Sequence, residues 1–233
     1  MTDAGAAAFA DAGFTRIGAF LTADECDAVA SALEAEPLTR AGRRTLLAVP
    51  WCRALAARIA TDARIRAYLP PSPCCVQITR FEKSTARNWL VPFHQDRHAP
   101  VRERVDDPRL RGWSFKDGRT FVALPDATLA VMVAVRLHVD PCGASHGALR
   151  VIPGTHRDGT RTAERIASDV SRGPAAELHA AAGDLWLLRP LLLHASSRAV
   201  TPNRRRVLQF LFAPSRPPHG LRWRDDVASG PSG

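Results

Sequence analysis

Lysine is nearly absent from this chain. Of 32 basic residues only Lys83 and Lys116 are lysine, and the rest are arginine. Beside heavy alanine use, that bias has the look of a high-GC coding sequence rather than a selected phosphate-binding face. The formal net charge of +9 therefore does not announce a nucleic-acid partner. The arginines are scattered, and only Arg204-Arg205-Arg206 forms a dense run. An anionic small molecule drawn by the same field is the better expectation. Cysteine is sparse too: Cys26, Cys52, Cys74, Cys75 and Cys142 form an odd set of five without a C-x-x-C pair. That argues against a disulfide framework or a cysteine zinc site and fits a reducing cytoplasm. No apolar run reaches the roughly 18 residues of a membrane-spanning helix. The opening residues, Met1-Thr2-Asp3-Ala4-Gly5, lack the basic stretch and apolar core of a secretory signal.

What is present suits one globular domain, 1–233: 45% hydrophobic, 24% charged and long enough for a substantial core. Residues 1–70 read as mainly helical. Thr22-Ala23-Asp24-Glu25 is a capping box, followed by Cys26, Val29, Ala30 and Leu33 at helical spacing before Pro37. A second helix is expected from Trp51 to about Ala60, and a short third one ends at Tyr68-Leu69-Pro70-Pro71. From Cys74 to residue 213 the texture is that of strands: 75–81, 89–95, 129–139, 149–152, 185–194 and 207–212. Segments 97–125 and 155–180 are polar and read as long loops. Strands without intervening helices predict a mainly β fold, an antiparallel double-sheet jelly roll of cupin type, rather than βαβ units.

The chemistry is carried by His94-Gln95-Asp96 and by His194, 100 residues after His94. On a strand, residues i and i+2 point to one side, so one strand offers two adjacent ligands and another must bring the third. Two imidazoles and a carboxylate on one face of a divalent metal leave open positions, the arrangement of non-haem Fe(II) oxygenases, which admit a co-substrate and O2. With eight histidines in the chain, an H-x-D alone is weak evidence. A second one, His138-Val139-Asp140, also precedes His194 and competes. His156, after the Pro153-Gly154 turn, reads as a structural hydrogen-bonder.

Arg205 follows His194 by 11 residues. If 185–194 and 205–212 are consecutive antiparallel strands, a symmetric closure sets 194 opposite 205, on one face with Ser196. A buried arginine needs an anion, and no acid lies near it in sequence. A dicarboxylate held through the guanidinium fork is the natural partner. Taken alone, Arg205 would instead be a surface residue in a basic turn.

Together these segments resemble the phytanoyl-CoA dioxygenase family of Fe(II)/2-oxoglutarate oxygenases. The resemblance runs from Asp11-Ala12-Gly13-Phe14 and Phe20-Leu21-Thr22-Ala23-Asp24-Glu25 through Asn88-Trp89-Leu90-Val91-Pro92-Phe93-His94-Gln95-Asp96 and the landmark from Gly147 to His156. It closes with Leu193-His194-Ala195-Ser196 and Arg205-Arg206-Val207-Leu208. It implies a double-stranded β-helix with His94, Asp96 and His194 on iron, 2-oxoglutarate held by Arg205 and Ser196, and Gln77 contacting the co-substrate. It also makes His138-Val139-Asp140 a non-ligand segment. With Asp96 present, nothing suggests the halogenating variants. The implied reaction uses O2 and releases succinate and CO2, with hydroxylation of a small molecule the expected outcome. Desaturation or ring closure would use the same residues. Substrate contacts are expected from Arg97, His98, Arg102 and Trp113 in a mobile lid, and from Arg136. A monomer or homodimer is expected. The rival function is a cupin-like hydrolase or isomerase using the triad without 2-oxoglutarate, and a plain metal-binding module comes third. Neither rival needs Arg205 and Ser196.

Overall fold

The computed structural model describes residues 3–36, 38, 42–200, 204–224 and 227–228. Pro37, Met1 and Thr2 of the sequence reading lie outside them. The helices are α1 (Asp3–Ala12), α2 (Ala23–Glu34), α3 (Pro50–Thr61), α4 (Asp126–Val131) and α5 (Ala163–Ser171). The strands are β1 (Phe14–Ile17), β2 (Gly42–Arg43), β3 (Pro73–Lys83), β4 (Val91–His94), β5 (His98–Val101), β6 (Arg111–Lys116) and β7 (Arg119–Ala123). They continue with β8 (Val133–His138), β9 (Leu149–Val151), β10 (Ala176–Leu178), β11 (Leu185–Leu188), β12 (His194–Ser196), β13 (Arg205–Pro214) and β14 (Val227–Ala228).

A major sheet runs β1-β11-β8-β13-β3-β14, with β2 on β3, and faces a minor sheet β10-β9-β12-β4. Both are antiparallel, as a jelly roll requires. The major sheet is apolar on its outer face because Val133, Val135 and Leu137 of β8 and Leu208, Phe210 and Phe212 of β13 all project there. α2 and α3 cover that face through Leu33, Cys52 and Ile59. The capping box of α2 is present on both sides, Glu25 N–H to the Thr22 hydroxyl at 3.2 Å and Thr22 N–H to the Glu25 carboxylate at 2.9 Å. At the other end, Arg80 of β3 donates to the Leu33 and Glu36 carbonyls and fixes that end of the helix to the sheet. Thr22→Ala should lower stability by about 1 kcal/mol, read as a lower urea midpoint with unchanged slope. No shift would mean the tertiary contacts of α2 make the cap redundant.

Several expected elements differ. The first 70 residues are not all helical: Phe14–Ile17 is an edge strand on β11, and the segment before Tyr68 is a single 3-10 turn. Residues 129–139 divide into α4 and β8. The long apolar run 185–194 is broken at Arg189-Pro190, because Pro190 has no N–H to donate to a ladder. There the chain leaves the major sheet after Leu188 and enters the minor one at His194. The expected polar loop 97–125 is largely a three-stranded sheet, β5-β7-β6. Its Ala99, Val101 and Val122 pack under Val76, Ala134 and Ala213. Residues 98–123 are thus largely paired strand resting on the core, not the open loop expected. The 155–180 segment likewise contains α5 and β10.

β3 carries one extra residue, Val76, between the pairs Leu211–Gln77 and Phe212–Cys75. This bulge switches which side chains face inward. Cys74 and Val76 enter the lower core, while Gln77, Thr79 and Phe81 line the interior above it.

Candidate active site

His94 and His194 are direct cross-strand partners on β4 and β12, with ring centres 4.2 Å apart. Asp96 lies just past β4, anchored by its N–H to the Pro190 carbonyl at 2.9 Å. The intervening Gln95 turns the opposite way. Its side chain bonds Gly159 O, Leu191 O and the Arg161 N–H, fixing the chain between His94 and Asp96. The Asp96 oxygens lie 3.8 Å from each imidazole Nε2.

The three donor atoms fall within 4.8 Å of one another, and no other such cluster occurs among the described residues. Each imidazole places Nδ1 on the carbonyl two residues earlier, Pro92 at 2.9 Å and Leu192 at 2.8 Å. With a proton on Nδ1, both Nε2 lone pairs face the carboxylate, the tautomer a metal ligand needs. Burial, offset in part by Asp96, holds His194 down to about 4. Burial alone would raise the Asp96 carboxyl, but His194, His94, Arg136 and Gln209 outweigh it and bring it below its ordinary value. A neutral imidazole beside an ionised carboxylate is a donor set that fits Fe(II).

The competing H-x-D does not assemble. Asp140 is clasped by Arg206 through both carboxylate oxygens. His138 is buried and pushed to about 3 by burial and by Arg136 and Arg205. His156 bonds the Ala10 carbonyl at 3.0 Å, the structural role expected of it.

Two cavities flank the triad and share Phe81, His94, Asp96 and Gln209. The smaller, about 90 Å³, is lined by Arg136, His194, Ser196 and Arg205. Arg205 is 3% exposed. It donates to the Gly147 carbonyl, while its Nε has no partner and no carboxylate pairs with it among the described residues. Its neighbours do not share this position: Arg204 pairs with Glu34 and Glu82, and Arg206 with Glu34 and Asp140, on the outer side. The convergence of His194, Ser196 and Arg205 was expected, but its cause differs. β12 and β13 are not ladder partners: Arg205 pairs with Lys83 of β3. The two strands face each other from opposite sheets.

The larger cavity, about 310 Å³, is walled by Gln77, Arg97, His98, Lys116, Met132 and Leu211, among others. Gln77 therefore borders this chamber and not the Arg205 cavity. Arg136 is the reverse: expected among substrate contacts, it lies beside Arg205, with Gln209 bridging it to Asp96. Arg102 and Trp113 border neither cavity. Arg102 lines a surface depression with Arg222 and Trp223, and Trp113 packs on the lower core under Arg104.

Sequence reasoning missed Lys83, Gln209 and Arg44. Gln209 is four residues past Arg205 on one strand, hence on the same inward face. That signal was available.

A double-stranded β-helix carrying an inward His-Asp-His triad defines a class of metal-dependent oxygenase. The family model for phytanoyl-CoA dioxygenase (PhyH) matches residues 9–207, and the chain belongs to that family. It is accordingly an oxidoreductase of the Fe(II)/2-oxoglutarate-dependent type. No curated protein matches it in sequence. Among solved structures, HygX from Streptomyces hygroscopicus, with nickel and 2-oxoglutarate bound, is 17% identical at a TM-score of 0.65, covering 92% of this chain and 88% of its own. EctD from S. alaskensis in its apo form is 19% identical at 0.70 (98% and 86%). SnoK, a non-haem α-ketoglutarate-dependent carbocyclase of nogalamycin biosynthesis, is 14% identical at 0.68 (99% and 89%). At these identities the likeness speaks for the fold. Among the described residues no helix is long and apolar enough to cross a membrane.

Proposed function

We propose that the enzyme hydroxylates an anionic small molecule, with His94, Asp96 and His194 as the iron ligands. The iron would supply O2 activation coupled to decarboxylation of 2-oxoglutarate to succinate and CO2. Arg205 and Ser196 hold the distal carboxylate of 2-oxoglutarate in the smaller cavity, and Arg136, kept near Asp96 by Gln209, adds positive potential there. The observation that carries this reading is Arg205: a buried guanidinium with no carboxylate partner among the described residues, lining the smaller cavity beside the triad. A cation so placed is costly unless an anion joins it.

The substrate occupies the larger chamber. Arg97 and Lys116 pair with no carboxylate among the described residues and stand on its wall. His98 is pushed below its ordinary value by burial, then by Lys116 and Arg97, and serves as a neutral hydrogen-bonding group. Gln77 offers an unpartnered buried carbonyl to a substrate hydroxyl or amine. Met132, Leu211 and Phe121 exclude water around the C–H to be oxidised.

The test is succinate release from anaerobically loaded enzyme, on admitting O2, against a panel of carboxylates, amino acids, phosphates and acyl thioesters. An acid should stimulate it and a neutral analogue should not. Turnover of a panel member without 2-oxoglutarate would favour the cupin-like hydrolase or isomerase. For the active substrate, Arg97→Ala with Lys116→Ala should raise KM by about tenfold, on the scale of lost charged contacts, and leave the KM for 2-oxoglutarate unchanged. Equal effects on both would assign these residues to a general field rather than to substrate.

A further inference from the structure

Lys83 is the most anomalous side chain in the molecule. It is 0% exposed, although lysine is almost never fully buried unless paired, and no carboxylate meets it among the described residues. Its ammonium donates to the Ser196 hydroxyl oxygen at 3.0 Å and to the Ser197 carbonyl. It lies 5.6 Å from the centre of the Trp89 ring. Arg205 is its direct partner across the β3–β13 ladder, and Arg136 is another cation buried in the same interior. Burial, then Arg205, press the Lys83 ammonium down to about 8. Crowding like charges inside a barrel opposes folding, so stability gives no reason to keep this residue. Composition gives none either, because the chain supplies arginine at nearly every other basic position. Space does distinguish the two. A Cβ on Gly147 would come within 3.1 Å of Nζ, so a compact ammonium fits where a guanidinium fork would not.

Ser196 lines the smaller cavity, and Lys83 lies behind it. A hydroxyl whose oxygen already accepts from an ammonium keeps its proton free for an anion in front of it. We propose that Lys83 is a positioning residue of the co-substrate pocket, holding the Ser196 hydroxyl with its proton turned into the cavity and adding a positive charge behind Arg205 to offset a dicarboxylate. The inference rests on the reading of that cavity as the 2-oxoglutarate site.

The experiment is calorimetric titration of 2-oxoglutarate into anaerobic Fe(II)-loaded protein, with melting temperatures measured on the same metal-free samples. Lys83→Met should weaken binding by about tenfold or more, the lower range for a lost desolvated charged contact. It should hold or raise the melting temperature, because a buried charge has gone. In a Ser196→Ala background the same change should cost much less, since the two act as one unit. The charged and titratable groups facing Lys83 are Arg205 from β13, Arg136 from β8 and Cys142 behind it. Wild-type affinity should therefore fall as pH rises past about 8, and the Lys83→Met profile should stay flat there. Wild-type-like binding in Lys83→Met, with Arg205→Ala impaired, overturns the inference and leaves the cavity reading intact. Normal binding in both variants overturns the cavity reading itself. Simple additivity with Ser196→Ala would overturn the positioning of Ser196 by Lys83, and loss of cooperative melting in both Lys83→Met and Lys83→Gln would assign Lys83 to folding instead.

Discussion

Asp96→Ala and His94→Ala are each expected to fold normally, to retain no iron after desalting and to turn over nothing. Both side chains are partly open to the cavities, so truncation leaves no buried void and little reason to unfold. The loss in metal affinity should exceed the about 10–100-fold typical of removing a group that merely supports a ligand, because a facial site reduced to two donors has lost one of its bonds to the ion. His138→Ala is the control, and it should keep its iron. Iron content by elemental analysis decides the matter. Full occupancy in Asp96→Ala, or loss confined to His138→Ala, would remove the triad from the centre of the mechanism.

Arg205→Ala should bind iron nearly as wild type does and bind 2-oxoglutarate more weakly by about 2–4 kcal/mol, the scale for removing one partner of a desolvated charge pair. Arg205→Lys should regain part of that, since one ammonium supplies charge without the fork. Arg204→Ala and Arg206→Ala should leave the affinity unchanged, because their acids hold them on the outer side: Glu34 and Glu82 for Arg204, Glu34 and Asp140 for Arg206. Unchanged co-substrate affinity in Arg205→Ala would put the anion site elsewhere, with Arg136 the first place to look.

Two of the three candidate donors were legible because their spacing is short-range, whereas His194, 100 residues after His94, was singled out by motif and family resemblance. His94 and Asp96 share a side for the elementary reason that alternate residues on a strand do, and the capping box at Thr22 is equally local. Charge pairing was not legible. Nothing along the chain says that Arg206 meets Asp140, 66 residues away, while Arg205 beside it meets no acid among the described residues. The 97–125 segment was misread because its strands carry residues such as Arg111 and Gly112 on the exposed side and hide apolar side chains such as Ala99, Val101 and Val122 in a core shared with β3 and β13. Polarity counted along a segment does not see which face is covered.

By itself the sequence determined the fold class and the family, and it singled out His94, Asp96, His194, Ser196 and Arg205 through motif and resemblance rather than through strand pairing. Only the tertiary structure decided which arginine of the 204–206 run turns inward, which wall each candidate joins and that a lysine stands behind Ser196. A one-residue bulge at Val76 reverses the facing of β3 beyond it, and the break at Pro190 moves His194 from one sheet to the other. The facing of a strand depends on its register with its neighbours, and register is set by partners distant in the chain.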